Sequence, residues 1–290
     1  MKIYNKLAGL FIAALLLTAC NPEVGDKPSI GDAPSVDDIK FTMTPSAEDP
    51  NTIQFDFTSD LISPYWAITK LDGSVMSTNK RSFSLKYMWA GEYDGSIQAY
   101  GRGGLSEPKS FKVSVANNDP IIYLLTGKDT PKVWIWDSSV QGHLGCGEPS
   151  TTTPNWWSAG PNELKGRGIY DDELTFNLNA TRSYSLKANN DIYVNESAAQ
   201  TMAPDLYPNG STVAVTVPYT QPAGQTWFMD RDADGKLYLT FSGKGFPSYV
   251  ASPDVLGNVR YEILELTETT LQLQWKGSGI NWYMRFKVKQ

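Results

Sequence analysis

The chain has a single histidine, His143, and only two cysteines among its 290 residues. One imidazole without a nearby nucleophile motif cannot supply a catalytic triad, and a metal site built on it would need carboxylate ligands. The sequence also contains no GxSxG, P-loop or dinucleotide-binding fingerprint. The glycine-rich stretch "GHLGCG" therefore predicts a turn in which His143 is hydrogen-bonded locally.

Basic residues are also scarce relative to acidic ones. The chain carries 25 Lys and Arg against 31 Asp and Glu, a formal net charge of −6. An acidic protein without a basic cluster has no electrostatic footprint for nucleic acid or for an anionic membrane surface, so we expect neither as an electrostatic partner. For the same reason a neutral ligand is more suitable than an acidic one.

Sustained helical periodicity is missing, and period-2 alternation takes its place. Only residues 195–203 are compatible with a short helix. Short alternating segments, separated by turns rich in Gly and Asp, begin near residue 36 and continue to the C-terminus. The sequence therefore predicts an all-β protein, with a small immunoglobulin-like sandwich over residues 36–117 and a larger β-sandwich or jelly roll over residues 118–290.

The N-terminus indicates export. Two lysines precede an apolar run over residues 7–20, which is too short for a membrane-spanning helix and ends in "LTAC". This ending resembles the lipobox of bacterial lipoproteins, and the resemblance implies a signal peptide over residues 1–20 and lipidation of Cys20. Residues 21–35, rich in Pro, Gly and Asp, predict a flexible tether. An ordinary secretory signal is the alternative. With Cys20 acylated, Cys146 has no disulfide partner and is expected to be buried.

Aromatic residues make up 12% of the chain, and strand parity separates some of them. Trp66, Trp275 and Trp282 share faces with aliphatic residues, which predicts that they belong to the cores. For the adjacent pair Trp156 and Trp157, in "PNWWSAGPNE", we expect one ring inside and one outside.

Other aromatic residues are candidates for a binding site. Loop aromatic residues on a rigid sandwich can receive the C–H groups of a sugar ring on their flat faces. The candidate ligand-binding residues are Trp156, Trp157, Trp227, Tyr249 and Trp136. For Trp136, which lies in "KVWIWD", a strand packed on both faces is the alternative.

Several segments of the second half carry a resemblance to a known family. These are "KVWIWD", "GHLGCGEP", "PNWWSAGPNE", "GIYDDELTFN" and "YEILELTETTLQLQWKGSGINWYMRFKV". They resemble the C-terminal part of Bacteroidota surface glycan-binding lipoproteins, which accompany polysaccharide-utilisation systems with a SusC/SusD-like importer. "WAGEYDGSIQAYGRGGLSEP", in the first half, is similar to the late strands of a PKD-type domain.

The resemblance covers most of residues 120–290 but identifies no glycan. It implies a non-catalytic protein, lipid-anchored at the surface of the outer membrane. Its expected partners are a polysaccharide, with a β-glucan as the best guess, the SusC/SusD-like importer and surface hydrolases.

Two other functions remain open. A glycoside hydrolase needs two carboxyl groups about 5–9.5 Å apart, and Asp171 and Glu173 share a strand face and are candidates for that pair. A purely structural or adhesive surface module is the other alternative.

Three aspartates suggest a calcium site. Asp230, Asp232 and Asp234 precede Gly235 with the spacing of the first half of a calcium loop, DxDxDG. The twelfth position is Phe241, however, where an EF-hand has a bidentate glutamate. An Asp-Gly hairpin turn is therefore the alternative, and the sequence predicts no other cofactor.

Overall fold

The computed structural model describes residues 30–71, 73–232 and 234–290, which belong to two compact units. The first unit extends to Lys86 and includes Gly91–Ser114, whereas the second comprises Tyr87–Ala90 and Val115–Gln290. The predicted signal peptide, Cys20 and most of the predicted tether lie outside the described residues. No helix within the described ranges is long and apolar enough to cross a membrane.

The first unit is built from two antiparallel sheets. Its strands are β1 (Phe41–Pro45), β2 (Thr52–Phe57), β3 (Ser63–Thr69), β4 (Val75–Thr78), β5 (Ser82–Lys86), β6 (Gly91–Gly101), β7 (Gly104–Leu105) and β8 (Lys109–Val115). A 3-10 turn, Val36–Asp38, precedes them. Strands β1, β2 and β5 form one sheet, and β3, β4, β6, β7 and β8 form the other. This division of strands is the immunoglobulin-like arrangement that the sequence predicts.

The core of the first unit surrounds Trp66 on β3. Its ring is fully buried and meets Phe55 and Phe83 edge-on, at centroid distances of 5.7 and 5.6 Å. Its indole N–H donates to the Lys80 carbonyl oxygen at 3.0 Å. Because this polar group has a partner, the ring can be buried without a desolvation penalty, and the prediction that Trp66 is a core residue is confirmed.

The second unit is also almost entirely β. Its strands are β9 (Val133–Trp136), β10 (Leu144–Gly147), β11 (Trp157–Ser158), β12 (Glu173–Phe176), β13 (Tyr184–Lys187), β14 (Asp191–Val194), β15 (Val215–Pro218), β16 (Thr226–Arg231), β17 (Leu237–Ser242), β18 (Val259–Leu266), β19 (Thr270–Lys276) and β20 (Asn281–Val288). The helices are Ile121–Thr126 and Ala199–Met202, with 3-10 turns at Glu196–Ala198 and Pro253–Leu256. The predicted all-β class is confirmed.

Ten of these strands form one curved sheet. Eight of them follow the order β13-β12-β9-β20-β19-β18-β17-β16, and β10 and β11 are joined to it through β20. The sheet is curved, and its two edge strands, β13 and β16, come together. There Ser183 pairs with Thr226, and backbone hydrogen bonds join Tyr184 to Gln225 and Trp227 to Arg182. Its inner face holds the large core side chains, and β14 and β15 form a separate two-stranded sheet.

Strand β20 brings two parts of the sheet together. Residues Phe286–Val288 pair with β9, whereas Asn281–Met284 pair with β10, and β19 runs along the whole of the opposite edge. The predicted helix over residues 195–203 corresponds to the turn and helix between Glu196 and Met202. The helix Ile121–Thr126 and strands β10, β11 and β14 were not predicted. Buried and exposed residues do not alternate along β10 or β14, and β11 has only two residues.

Candidate functional site

Four neighbouring strands place a row of side chains on one face of the sheet. Trp157 on β11 pairs with Cys146 on β10, Cys146 pairs with Trp282 on β20, and Trp282 pairs with Trp275 on β19. Directly opposed residues of antiparallel strands project to the same face. The four residues therefore form a continuous band, which we call the aromatic row.

Glycine at two positions allows the row to form. A Cβ on Gly145 would lie 2.7 Å from both the Pro154 side chain and the Trp157 carbonyl oxygen, so only glycine lets β11 approach β10 this closely. A Cβ on Gly277 would lie 2.8 Å from the ring of Trp275. The segments "GHLGCG" and "PNWW" are thus fitted to each other, and the β19–β20 turn is fitted to the Trp275 indole.

An open cleft of about 470 Å³ is lined by the aromatic row. Small-molecule sites have volumes of about 300–1,000 Å³. Tyr249 and Tyr193 also line the cleft, and Tyr249 packs against Trp282 at a centroid distance of 5.2 Å and against Tyr193 at 5.8 Å. The cleft therefore has five aromatic rings in its lining and the dimensions of a small-ligand site.

Two capped turns bring polar groups to the cleft. The Asn195 side chain accepts a hydrogen bond from the Ser197 backbone N–H at 3.1 Å, which starts the 3-10 turn containing Glu196. In the same way Ser252 accepts from the Asp254 backbone N–H at 3.2 Å. Such caps hold a short turn in place. The capping residues Asn195 and Ser252 line the cleft together with the two tyrosines.

The nine indole N–H groups of the chain fall into two classes. Five donate to an acceptor inside the protein: Trp66 to Lys80 O at 3.0 Å, Trp89 to Met229 O at 2.9 Å, Trp134 to Leu125 O at 2.8 Å, Trp136 to Ser248 Oγ at 2.7 Å and Trp227 to Asn177 O at 3.1 Å.

The other four indoles are Trp156, Trp157, Trp275 and Trp282. Their N–H groups have no protein acceptor among the described residues, and none of the four nitrogens is among the buried unpaired atoms. Their N–H groups are therefore accessible. Three of these four indoles, Trp157, Trp275 and Trp282, line the cleft.

Most hydrogen-bonding groups of the cleft are neutral. Burial raises the pKa of the Tyr193 and Tyr249 phenols and of the Cys146 thiol. These groups therefore stay protonated at neutral pH. The charged side chains in the lining are those of Glu196 and Asp254, and both are exposed.

The pair of adjacent tryptophans does not divide into one buried and one exposed ring. Trp156 is 54% exposed and Trp157 is 39% exposed, so that prediction is wrong. The strand β11 begins only at Trp157, and therefore Trp156 is not held against the sheet on the opposite face. Trp157 lines the cleft and Trp156 does not.

Trp136 and Trp227 are not binding platforms, and this is a correction to the sequence analysis. They are 2% and 1% exposed, and each indole N–H is bonded inside the core. Strand β16 begins at Thr226, so Trp227 shares the inward face of that strand with the buried Met229. A fully enclosed ring presents no face to a sugar.

Tyr249 occupies an intermediate position. It lines the cleft, but it is only 2% exposed because its ring lies against Trp282 and Tyr193. It therefore supports the exposed part of the row from behind, and the prediction that it offers a free ring face is wrong.

The proposed hydrolytic pair lies apart from the cleft lining. Glu173 forms ion pairs with Lys289 at 2.9 Å and with Lys187 at 3.0 Å. These two contacts lower the pKa of its carboxyl group. The Asp171 side chain accepts a hydrogen bond from Asn189 at 3.1 Å. Neither carboxylate is among the residues that line the cleft.

The three aspartates of "DRDADG" do not form a metal site. Asp230 pairs with Arg260 at 2.8 Å, whereas Asp232 accepts hydrogen bonds from the backbone N–H groups of Asp234 and Lys236 at 3.0 and 2.9 Å. Among the described residues no group of three or more His, Cys, Asp or Glu side chains converges to hold a metal ion. The Asp-Gly hairpin turn is therefore the correct interpretation, because the side chain of Asp232 organises the turn itself.

The local hydrogen bonding predicted for His143 is confirmed. Its Nδ1 lies 2.7 Å from the Val140 carbonyl oxygen and its Nε2 lies 2.8 Å from the Tyr170 hydroxyl. Burial lowers the pKa of this imidazole. The histidine thus joins two loops of the second unit.

The sequence analysis missed several residues of the cleft: Trp275, Trp282, Tyr193, Asn195, Glu196 and Asp254. Parity assigned Trp275 and Trp282 to the core, and they are indeed only 7% exposed. One signal was available in the sequence. Counting outward from the four-residue turn "GSGI" pairs Trp275 with Trp282, and two opposed indoles at the end of a hairpin indicate an aromatic surface.

No protein-family model and no curated protein matches this chain.

Proposed function

We propose that this protein is a non-catalytic binder of a neutral polysaccharide, with the cleft as its saccharide site and a β-glucan as the preferred candidate. The observation that carries the proposal is the set of three cleft indoles whose N–H groups lack a protein acceptor in the described part of the chain. An indole at such a position offers both an apolar surface for sugar C–H groups and a donor for a sugar hydroxyl.

The arrangement of the cleft also supports weak, reversible binding. Trp157 is 39% exposed, whereas Trp275 and Trp282 are each only 7% exposed. A shallow site of this kind binds each saccharide segment weakly. Many copies on one surface would add avidity toward a long polysaccharide, without new contacts in any single site.

Affinity electrophoresis of the mature chain in barley β-glucan, laminarin, xylan and mannan tests this function. We expect at least one glycan to retard the protein. Trp157→Ala should weaken that binding about tenfold, or about 1.4 kcal/mol, because it removes the most exposed ring of the cleft. Trp156→Ala is the matched control, since Trp156 is adjacent and more exposed but does not line the cleft.

Two outcomes would count against the proposal. If no glycan of the panel retards the protein, saccharide binding is the wrong function. If Trp156→Ala abolishes retardation while Trp157→Ala leaves it intact, the cleft is not the site.

A glycoside hydrolase is the second candidate, because two carboxylates, Glu196 and Asp254, line the same cleft. Both are exposed, whereas the general acid of a glycosidase is typically held in an apolar pocket. Binding is therefore the better supported function. A reducing-end assay on the same glycans distinguishes the two, since a hydrolase would release ends that Glu196→Gln abolishes.

The same titration separates a purely adhesive or structural module from a glycan binder. A saccharide stacked on Trp157 changes the tryptophan emission, whereas a module that binds only protein would leave the emission unchanged in every glycan.

We also propose that Cys20 anchors the mature chain to the outer membrane at the cell surface, near an importer and hydrolases. The support is the lipobox-like ending of the apolar run before Cys20. Labelling of cells with a fatty-acid analogue should mark the wild-type chain and not Cys20→Ala. Protease added to intact cells should degrade the anchored protein if it faces outward.

A further inference from the structure

The charge of the cleft has one sign. Glu196 and Asp254 line it, and its lining includes no Lys, Arg or His. Each carboxylate stands in the first turn of a capped 3-10 segment, which fixes its backbone beside the aromatic rings. Neither side chain forms an ion pair with a basic residue of the described ranges.

Several other acidic side chains of the second unit are paired with basic residues. Glu173, Glu262 and Asp137 each lie within 4 Å of two basic side chains, and Lys276 reaches Glu262 at 2.5 Å. The two cleft carboxylates therefore differ from them, because they carry uncompensated negative charge toward the space that a ligand would fill.

The remaining groups around the cleft do not cancel this charge. The tyrosine hydroxyls and the Cys146 thiol are neutral, since burial raises their pKa values. Outside the lining, Arg167 and Glu163 both act on Tyr193, with opposite signs. Aromatic faces next to carboxylates attract cations, because the ring quadrupole and the carboxylate act in the same direction.

Resting on saccharide binding by the cleft, but not on the neutrality of the ligand, we infer that the cleft selects glycans whose sugars carry a free, protonated amino group, of the glucosamine type, over neutral glycans of the same linkage, and that it rejects uronic-acid glycans. The amine would meet Glu196 and Asp254 while the sugar ring lies on the aromatic row. An N-acetylated sugar lacks the positive charge and loses this preference.

Calorimetric titration with three β-1,4-linked hexasaccharides, of glucosamine, N-acetylglucosamine and glucose, tests the inference, with barley β-glucan and a polygalacturonate oligomer as further arms. At slightly acidic pH we expect the glucosamine oligomer to bind about tenfold more tightly than the glucose oligomer, from the combined ion-pair and cation–π contributions. The preference should decrease at high salt, because exposed charges are screened. The polygalacturonate oligomer should not bind.

Variants of the two carboxylates make the test specific. The double variant Glu196→Gln, Asp254→Asn should lose the preference for the amine, measured as the ratio of its affinities for the glucosamine and glucose oligomers. Glu196→Lys should reverse the preference, so that the galacturonate oligomer binds more tightly than the glucosamine oligomer. Arg167→Gln, outside the lining, should leave the preference unchanged or increase it.

The results separate this inference from the proposed function. If barley β-glucan or the glucose oligomer binds as tightly as the glucosamine oligomer, or more tightly, the inference is overturned and saccharide binding stands. If the double variant retains the amine preference, the carboxylates are not its cause and the inference is overturned. If no saccharide of any arm binds, both proposals are wrong.

Discussion

Two pairs of indoles in the second unit differ more in their polar partners than in their exposure. Trp136 and Trp227, in the core of the second unit, are 2% and 1% exposed and donate to Ser248 and Asn177. Trp275 and Trp282 are only 7% exposed, yet their N–H groups have no protein acceptor within the described residues. A buried polar group without a partner is costly, so an indole that lacks one must remain accessible. The N–H partner therefore distinguishes structural rings from rings that can serve a ligand.

The largest expected effect separates the classes by stability. Trp227→Ala should lower the free energy of unfolding by about 4 kcal/mol, because it leaves a cavity in the core and an unpaired Asn177 carbonyl group. Trp157→Ala should lower it by less than about 1 kcal/mol, since that ring is substantially exposed. Urea unfolding followed by circular dichroism measures both.

Comparable losses for these two variants would contradict the division into core and cleft. Trp156→Ala is a further control, for which we expect the smallest change in the urea midpoint.

The second prediction concerns the acceptor of a core indole. Trp136 donates to Ser248, and Ser248 donates to Asp172, which is fully buried. Burial, together with the charges of Asp171 and Asp191, raises the pKa of Asp172 to about 8. The folded protein favours the protonated form of Asp172. The contribution of Asp172 to stability is therefore fully present below about pH 4 and is lost as the pH rises through about 8. The free energy of unfolding should therefore fall by about 3 kcal/mol between about pH 5 and about pH 7.

Asp172→Asn is the control for this slope, because the amide cannot ionise. Its stability should be nearly independent of pH over the same interval. His143 acts in the opposite direction at acidic pH, since burial lowers its pKa, and both proteins retain it. An equal slope in the variant and the wild type would show that Asp172 ionises normally.

A smaller effect comes from replacing the indole with a benzene ring, which removes the N–H donor. Trp136→Phe leaves Ser248 with one partner fewer in the core and should lower the free energy of unfolding by about 1–2 kcal/mol. Trp282→Phe removes no hydrogen bond within the described protein and should leave stability nearly unchanged. It should instead weaken saccharide binding severalfold, as measured by calorimetry. If Trp282→Phe destabilises the fold as much as Trp136→Phe does, the accessible N–H has an internal role.

The smallest expected effect is that of calcium. Asp230 and Asp232 are engaged by Arg260 and by the turn backbone, so added Ca²⁺ should not change the melting temperature. Differential scanning fluorimetry with excess Ca²⁺ and with a chelator measures this. A Ca²⁺-dependent increase in the melting temperature that Asp232→Asn abolishes would show that these aspartates bind calcium.

Much of the fold could be predicted from the sequence, because alternation along a strand depends only on neighbouring residues. Period 2 predicted the strands from β16 to β20 and the burial of Trp66, Trp275 and Trp282. It could not predict β10 or β11, since β10 does not alternate, β11 has only two residues, and both strands are stabilised by pairing with other segments.

The candidate site was less predictable for the same physical reason. The aromatic row arises from the register between four strands, so no short sequence window contains it. Parity shows which face Trp275 occupies, but not that this face opens to a cleft at the end of the hairpin. Trp157, a candidate from the sequence, lies on β11 and lines the cleft. Trp227, another candidate, is buried, because the start of β16 at Thr226 could not be located from the sequence.

The most direct test of the central claim is a ¹⁵N spectrum of the tryptophan indole groups, assigned with single Trp→Phe variants and recorded with and without the glycan that binds. We predict that the signals of Trp157, Trp275 and Trp282 move on addition of the glycan and that those of the five internally bonded indoles do not. Stationary signals for all three cleft indoles, with bound glycan confirmed in the same tube, would contradict the assignment of the cleft as the saccharide site.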